Sequence, residues 1–376
     1  MSTACITEFV VKIASRCNLN CDYCYEYNLG DESYKTQPRF MSYEIFERLS
    51  ERIYQHVETH GLSEITIGFH GGEPLLAGAS RLNHYCQTIR DKIPRTVKLN
   101  LGIQTNGILL TADIISVISK HSILVSVSLD GDRVASDRHR RYKNGKSSHN
   151  AVLHGVQLLQ RNAPDSLVGA LAVIDLENDP LEAFDALAAL NVTNLDFLLP
   201  HHNWDNPPSR PNGSATSYAD WYFTLFEAWI SDRHPTIRIR FLENIVSQLA
   251  GGPSVFEAMT LAPPSLIVIA SDGSIEAVDC IKSTASGIQQ TGLNIRSATF
   301  DQALVAEIIA IRNSGSNQLS ESCHRCQFRE TCAGGYFPHR WSAEKQFNNP
   351  SIYCADLYSL IGRIADRLAK LTGGVS

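Results

Sequence analysis

Short apolar runs rich in Val, Ile and Leu recur along the first half of the chain. Each is followed by a turn and then by a longer stretch with apolar residues at helical spacing. The runs predict strands over Ile6–Ala14, Glu64–Phe69, Val97–Gln104, Ile123–Ser128, Leu167–Val173 and Asn194–Leu199. The stretches between them predict helices over Tyr43–His60, Ala79–Lys92, Ala112–Lys120, His149–Asn162 and Leu181–Leu190. Strands alternating with helices form parallel βα units, whose strands are covered on both faces and so read as apolar throughout. The expected fold class is α/β, and six units instead of eight imply a partial, open barrel.

Near residue 200 the rhythm breaks. Residues 201–217, HHNWDNPPSRPNGSATS, read as a long polar loop, and Tyr218–Ser231 as an aromatic-rich helix. Residues 265–280, SLIVIASDGSIEAVDC, are two alternating runs around Asp272-Gly273, the signature of a β-hairpin. Turn-rich, cysteine-spaced sequence follows, and Cys354–Leu371 reads as a closing helix. The expected division is a barrel over 1–232, a bridging segment over 233–264 and a smaller cysteine-bearing domain over 265–376.

Composition narrows the function. Hydrophobic residues make up 43% of the 376 and charged residues 19%, enough for a large core and against global disorder. The net charge of −6, with no long basic run, argues against nucleic-acid binding. No run of apolar residues is long enough to span a membrane, and residues 1–17 lack the basic start of a signal peptide. A cytoplasmic location is expected. The ten cysteines are clustered, which points to metal binding or catalysis and not to a disulfide framework.

Cys17, Cys21 and Cys24 form a C-x3-C-x2-C triplet directly after the first strand. At this cysteine frequency roughly 0.007 such triplets would arise by chance. Three thiolates from one loop can face one point. They could hold a [4Fe–4S] cluster with one iron left open for a ligand, or zinc with a distant fourth ligand.

The spacing, its position and the aromatic Tyr23 resemble the radical S-adenosylmethionine (SAM) superfamily. The resemblance implies a TIM-like partial (β/α)6 barrel. It also implies a cluster whose open iron chelates SAM, which is cleaved to a 5′-deoxyadenosyl radical. Further segments follow in the family's order. FHGGEP, Phe69–Pro74, contains Gly71, Gly72 and Pro74, with Glu73 as a carboxylate for the SAM ammonium. QTNG, with Asn106, and SLDG, with Ser128 and Asp130, match segments that line the SAM site. Asp137 and Arg140 match an Asp-x-x-Arg in which the arginine pairs with the SAM carboxylate, although Ser136 stands where many relatives have His. Arg138 or Arg141 could do the same work.

CHRCQFRETC carries Cys323, Cys326 and Cys332, and Cys354 follows. Four thiolates suffice for a closed [4Fe–4S] cluster or a structural zinc. Behind a radical SAM domain the run resembles the SPASM extension, which carries auxiliary clusters. The full seven-cysteine pattern is broken, because Ser297 and Tyr336 stand where that family has cysteine. One auxiliary cluster is therefore expected, on Cys323, Cys326, Cys332 and Cys354. Cys280 is left as a buried thiol or an unassigned ligand, and Cys5 and Cys86 as core residues.

The segment 332–361 resembles SPASM peptide maturases that close three-residue cyclophanes. The implied function is an oxidoreductase acting as a RiPP maturase, crosslinking an aromatic ring to a nearby Cβ in a ribosomally made precursor peptide. The implied cofactors are the SAM-binding cluster, one auxiliary cluster and SAM, and the implied partner is a reductant such as flavodoxin or ferredoxin. The base that takes the final proton is unassigned, with Asp279, His201 and His202 as candidates. The competing readings are a sulfatase-type maturase making formylglycine in a folded protein, and a zinc-binding scaffold without catalysis.

Overall fold

A computed structural model describes residues 5–254, 256–263, 265–371 and 373, with the side chain of Asn212 excepted. Its strands are β1 (Glu8–Ala14), β2 (Glu64–Gly71), β3 (Lys98–Thr105), β4 (Leu124–Ser128), β5 (Leu167–Val173), β6 (Asn194–Leu198), β7 (Arg238–Ile239), β8 (Leu266–Ile269), β9 (Ser274–Glu276) and β10 (Gln290–Asn294). The longer helices in the first half are α1 (Tyr43–His60), α2 (Gly78–Lys92) and α3 (Ala112–Lys120). They are followed by α4 (Arg133–His139), α5 (His149–Asn162), α6 (Pro180–Ala188), α7 (Ser217–Ile230) and α8 (Arg240–Leu249). Short helices α9 (Phe300–Leu304), α10 (Glu307–Asn313), α11 (Glu321–His324) and α12 (Arg329–Cys332) precede the closing α13 (Cys354–Leu371).

The chain divides into two compact units. One comprises Met1–Leu129, Ser136–Gly169 and Pro264–Asn313; the other comprises Asp130–Ala135, Ala170–Pro263 and Ser314–Ser376. In the first unit the strand order is β10-β9-β8-β1-β2-β3-β4. β8, β1, β2, β3 and β4 run parallel, with Val11 opposite both Phe69 and Ile269. The β8–β9 and β9–β10 pairs are antiparallel. Phe9, Val11, Ile13, Ile65, Ile67 and Phe69 are fully buried and, standing at alternate positions, line one covered face of these strands, while the residues between them on β2 are half-buried. Helix α1 buries Ile45, Phe46, Leu49, Ile53 and Val57 on one stripe. It starts where the Ser42 side chain accepts from Ile45 N and stops at Gly61, which is left-handed.

In the second unit β6 and β7 pair in parallel and α13 packs on α7. The two helices are joined by a buried carboxylate. Asp356 Oδ1 accepts from the backbone N–H groups of Tyr218 and Ala219, which caps the first turn of α7, while Oδ2 takes the Arg210 guanidinium at 2.5 Å.

Each strand and helix expected with stated limits is observed to within two residues of them. Two features depart from expectation. The segment 233–264 is not a bare connector: it holds β7 and the amphipathic α8, which buries Phe241, Leu242 and Ile245. The hairpin near residue 270 packs in the first unit, apart from the cysteine run that follows it in sequence, because the apolar β8 adds to the free edge of β1. Among the described residues no helix is long and apolar enough to cross a membrane.

Asp356→Ala removes a helix cap and leaves the Arg210 charge unpaired in a largely buried place. It is expected to cost about 3 kcal/mol, read as a lower urea midpoint at unchanged slope.

Candidate active site and cysteine clusters

The first unit places Cys17, Cys21 and Cys24 in the loop after β1. Backbone bonds close the loop tightly: Cys24 N donates to Cys21 O at 3.1 Å, and Asn28 N donates to Cys24 O at 2.8 Å. Asn28 Nδ2 adds a bond to Cys21 O at 2.7 Å. Burial pushes the Cys17 thiol up to about 11, and Glu73 and Cys21 add to the rise. Burial likewise pushes Cys24 up to about 12, helped by Glu26 and Cys21. Protein groups alone thus oppose thiolates at Cys17 and Cys24, and a bound cationic group is what would favour them. A soft, all-sulfur donor set from one loop, with Cys21 buried and Cys17 and Cys24 half-buried, fits an iron–sulfur cluster.

The end of β2 is fastened to that loop. Gly72 N donates to Ala14 O and Glu73 N to Arg16 O, each at 3.0 Å. A Cβ at Gly71 would lie 2.0 Å from Ala14 O, and one at Gly72 would lie 1.8 Å from Tyr27 Oη and 2.7 Å from Arg16 backbone. The close approach these glycines permit is therefore to the root of the cysteine loop itself. Pro74 opens a buried single turn, Pro74–Ala77, for which Glu73 is the cap.

Glu73 is fully buried. Its Oε1 accepts from Thr105 Oγ1 at 2.7 Å and Leu75 N at 3.0 Å, and its Oε2 accepts from Asn106 N at 2.8 Å. An ionised carboxylate has room for about four such bonds, so one acceptor position remains. Burial raises the Glu73 carboxyl above its ordinary value despite these bonds and the Arg140 charge. A buried carboxylate with a spare acceptor fits an incoming ammonium group.

Arg140 is buried, and its Nη1 donates to Tyr23 Oη at 2.8 Å. Its charge acts on both Cys17 and Glu73. Arg141 is exposed and is bonded through Nε to Asp137 O, so of the two it is Arg140 that faces the cluster loop. The Tyr23 ring lies on His139, which pairs with Asp22 at 2.8 Å. Asn106 Nδ2 donates to Asn18 Oδ1 at 2.8 Å and lies 3.9 Å from Cys17 Sγ. Ser128 Oγ accepts from Gln104 Nε2 at 2.8 Å. Asp130 belongs to the second unit, where it is buried and accepts from Val173 N at 3.1 Å. The roles of Asn18, Thr105 and His139 were not read from the sequence, because single polar residues carry no spacing signal.

A buried charged network in the first unit also escaped sequence reasoning. Lys12 on β1 pairs with Glu26, two residues past Cys24, and lies 3.4 Å from Asp279. Lys282 pairs with Glu26 at 3.1 Å and Glu276 at 3.5 Å. Tyr25 Oη donates to Asp279 Oδ2 at 3.1 Å, and His70 Nδ1 lies 3.6 Å from it. Burial alone would raise the Asp279 carboxyl, but Lys12, His70 and Lys282 outweigh it and hold Asp279 well below the usual carboxylate range. The available signal was Lys12 itself, a charge in the middle of an otherwise apolar strand.

In the second unit Cys323 on α11, Cys326, Cys332 at the end of α12 and Cys354 at the start of α13 line one cavity of about 280 Å³, with Phe328 and Tyr358 among its walls. Burial, then Cys354, Cys323 and Cys326, push the Cys332 thiol up to about 12. Burial and the neighbouring sulfurs raise the Cys354 thiol as well, and such a pocket fits a site built around a cationic group. Tyr336 contributes no sulfur; its ring packs on His201 and His339. Ser297 lies in the first unit, as does the buried Cys280.

Gly72→Ala is expected to lose most of the iron bound through the first loop, measured as iron per chain after anaerobic reconstitution. Gly68→Ala is the control, because its added Cβ meets nothing within 4 Å. Equal iron in the two variants would show that the glycine contact does not shape the loop.

Residues 11–188 match the family model described as the Radical SAM superfamily. The chain is 22% identical over 364 residues to the cysteine-type anaerobic sulfatase-maturating enzyme of Clostridium novyi (strain NT), covering 96% of this chain and 94% of that one. It is 25% identical over 334 residues to the serine-type enzyme of Klebsiella aerogenes, covering 87% and 78%. Among solved structures, native anSMEcpe with bound AdoMet superposes with a TM-score of 0.84 at 20% identity, covering 98% of this chain and all of that one. Streptococcus suis SuiB bound to precursor peptide SuiA gives 0.59 at 16% identity, covering 93% and 76%. These likenesses bear out the expected α/β fold class along nearly the whole chain. Residues 11–188 are thus a radical SAM superfamily domain, and the chain that carries it is an enzyme.

Proposed function

We propose that this enzyme oxidises an unactivated carbon of a polypeptide, closing a bond between an aromatic ring and a nearby Cβ in a ribosomally made precursor peptide. The observation that carries the reading is the second thiol set, a four-cysteine pocket in addition to the three-cysteine loop. When bound, a [4Fe–4S] cluster on Cys17, Cys21 and Cys24 with SAM supplies a 5′-deoxyadenosyl radical, and an auxiliary cluster on Cys323, Cys326, Cys332 and Cys354 supplies an acceptor for one electron.

In this reading Glu73 takes the SAM ammonium at its spare acceptor position. Arg140, held by Tyr23, takes the SAM carboxylate. Asn106 keeps its amide against the Cys17 sulfur. Crosslinking removes two hydrogens from the peptide, one as an abstracted atom and one as a proton and an electron. Asp279, held ionised by Lys12 and its neighbours, and His202, whose burial lowers its pKa below the ordinary value, are both in proton-accepting form at neutral pH. Support for a polypeptide substrate comes from the relatives: SuiB is bound to a precursor peptide and anSMEcpe to the Cp18Cys peptide.

The near full-length similarity to sulfatase-maturating enzymes favours a second reading, oxidation of a cysteine or serine to an aldehyde. The products separate the two. Anaerobic protein is expected to carry about eight irons per chain, and with dithionite and SAM to yield 5′-deoxyadenosine. Aromatic-rich peptides should lose two hydrogens without gaining hydrazine reactivity. A hydrazine-reactive product from cysteine or serine peptides would establish the second reading instead, and zinc without iron would overturn both.

Two sets of variants test the assigned roles. Replacing Cys17, Cys21 and Cys24 together by Ala is expected to abolish 5′-deoxyadenosine formation. A soluble Cys326→Ala protein should still form it while crosslinking falls at least tenfold; crosslinking at the wild-type rate would remove the auxiliary site from turnover.

A further inference from the structure

We propose that His56, His60 and Asp301 form a binding site for a divalent metal of the zinc class, distinct from both cysteine sets. His56 and His60 stand four residues apart on α1 and so share a face. Asp301, in α9, is turned toward them. His60 Nε2 lies 2.9 Å from Asp301 Oδ1 and 3.1 Å from Oδ2, and His56 Nδ1 lies 3.8 Å from Oδ1. One ligand atom from each residue falls within 4.8 Å of the other two. Zinc bonds N and O at about 2.0–2.2 Å, which puts tetrahedral neighbours about 3.3 Å apart. The observed separations bracket that value.

The tautomer of His56 decides between a metal and a simple ion pair. Its Nε2 lies 3.0 Å from the carbonyl oxygen of Ile6. A carbonyl only accepts, so Nε2 carries a proton, and in the neutral ring that binds a metal the lone pair sits on Nδ1. Nδ1 therefore faces a carboxylate oxygen with no proton between them, two acceptors turned toward one cation-sized gap. Donation of the second ring N–H to a backbone carbonyl is how metal-bound histidines are commonly oriented. Phe9 and Phe300 pack edge-on to the His56 ring, at 6.2 and 5.5 Å, and hold it in that orientation.

The other two ligands are reachable from solvent, with side-chain exposures of 31% for His60 and 48% for Asp301. A metal can enter and keep a water as fourth ligand. Cys5 Sγ lies 3.9 Å from His56 Nε2, the nitrogen already committed to Ile6, so it is not counted among the ligands. Two imidazoles and one carboxylate suit zinc and its transition-metal neighbours, whereas calcium and magnesium prefer all-oxygen sets. Bound metal would staple the chain entering β1, helix α1 and helix α9 within the first unit.

The test uses full-length holoprotein with its iron content measured first, so that the cysteines are occupied. It is dialysed anaerobically against zinc chloride and then against a weak chelator, and zinc and iron are counted by mass spectrometry. The wild type is expected to keep one zinc per chain at unchanged iron and to melt at a higher temperature with zinc. His60→Gln and Asp301→Asn, both at accessible positions, are each expected to weaken zinc retention at least tenfold and to lose the melting shift, again at unchanged iron. No zinc on the wild type, equal zinc on all three proteins, or zinc gained only as iron is lost would each overturn the site.

Discussion

The carbonyl oxygen of Ala14 lies 2.0 Å from where a Cβ at Gly71 would be, and a Cβ at the next residue would lie 2.7 Å from the Arg16 backbone. This joint between the end of β2 and the end of β1 is the constraint on which the three-thiol loop depends. Parallel pairing brings Ala14 opposite Gly71. The Gly72 and Glu73 amides then bond the loop's first carbonyls. That leaves the Glu73 carboxylate buried and directed at Thr105 and Asn106 on the next strand end. One steric condition thus places the sulfur loop, the buried carboxylate and the Asn106 amide in a single arrangement, without any of them being adjacent in sequence.

The second constraint is electrostatic. Lys12, Glu26, Glu276, Asp279 and Lys282 are all buried, and isolated charges would not survive there. They persist because each cation has at least two carboxylate neighbours. The network joins β1, the segment just after Cys24 and the turn after β9. Such a network is weak evidence for stability, since desolvation offsets much of the attraction. Its consequence lies in ionisation: it keeps Asp279 charged and burial keeps His70 neutral, which sets the proton inventory close to the thiol loop.

The two thiol sets differ in how they are built. The first is a single loop fastened by backbone bonds to neighbouring strand ends. The second gathers its sulfurs from short helices and from the start of α13, a segment with little regular structure until Cys354. A site of that kind gains order from what it binds, because metal binding there is also folding free energy. The Asp356 cap on α7, two residues past Cys354, ties this region to the longest helices of its unit.

Most of the local structure was determined by the sequence alone. Strand and helix limits follow from apolar periodicity and from caps such as Ser42, Thr111, Asp179 and Gly61, whose bonds span only a few residues. The cysteine spacings and the Gly-Gly-Glu-Pro turn were equally readable, because thiolates on one loop need fixed separations. The tertiary structure decided what depends on partners far along the chain. Helix α8 was hidden in a segment that reads as a connector, the hairpin's place was set by the edge of β1, and Arg140 was set apart from Arg141 by its reach to Tyr23. The Lys12 network and the meeting of His56, His60 and Asp301 join residues more than two hundred positions apart. Periodicity describes a chain's relation to its own neighbours, and no such pattern records which distant side chains the sheet will bring together.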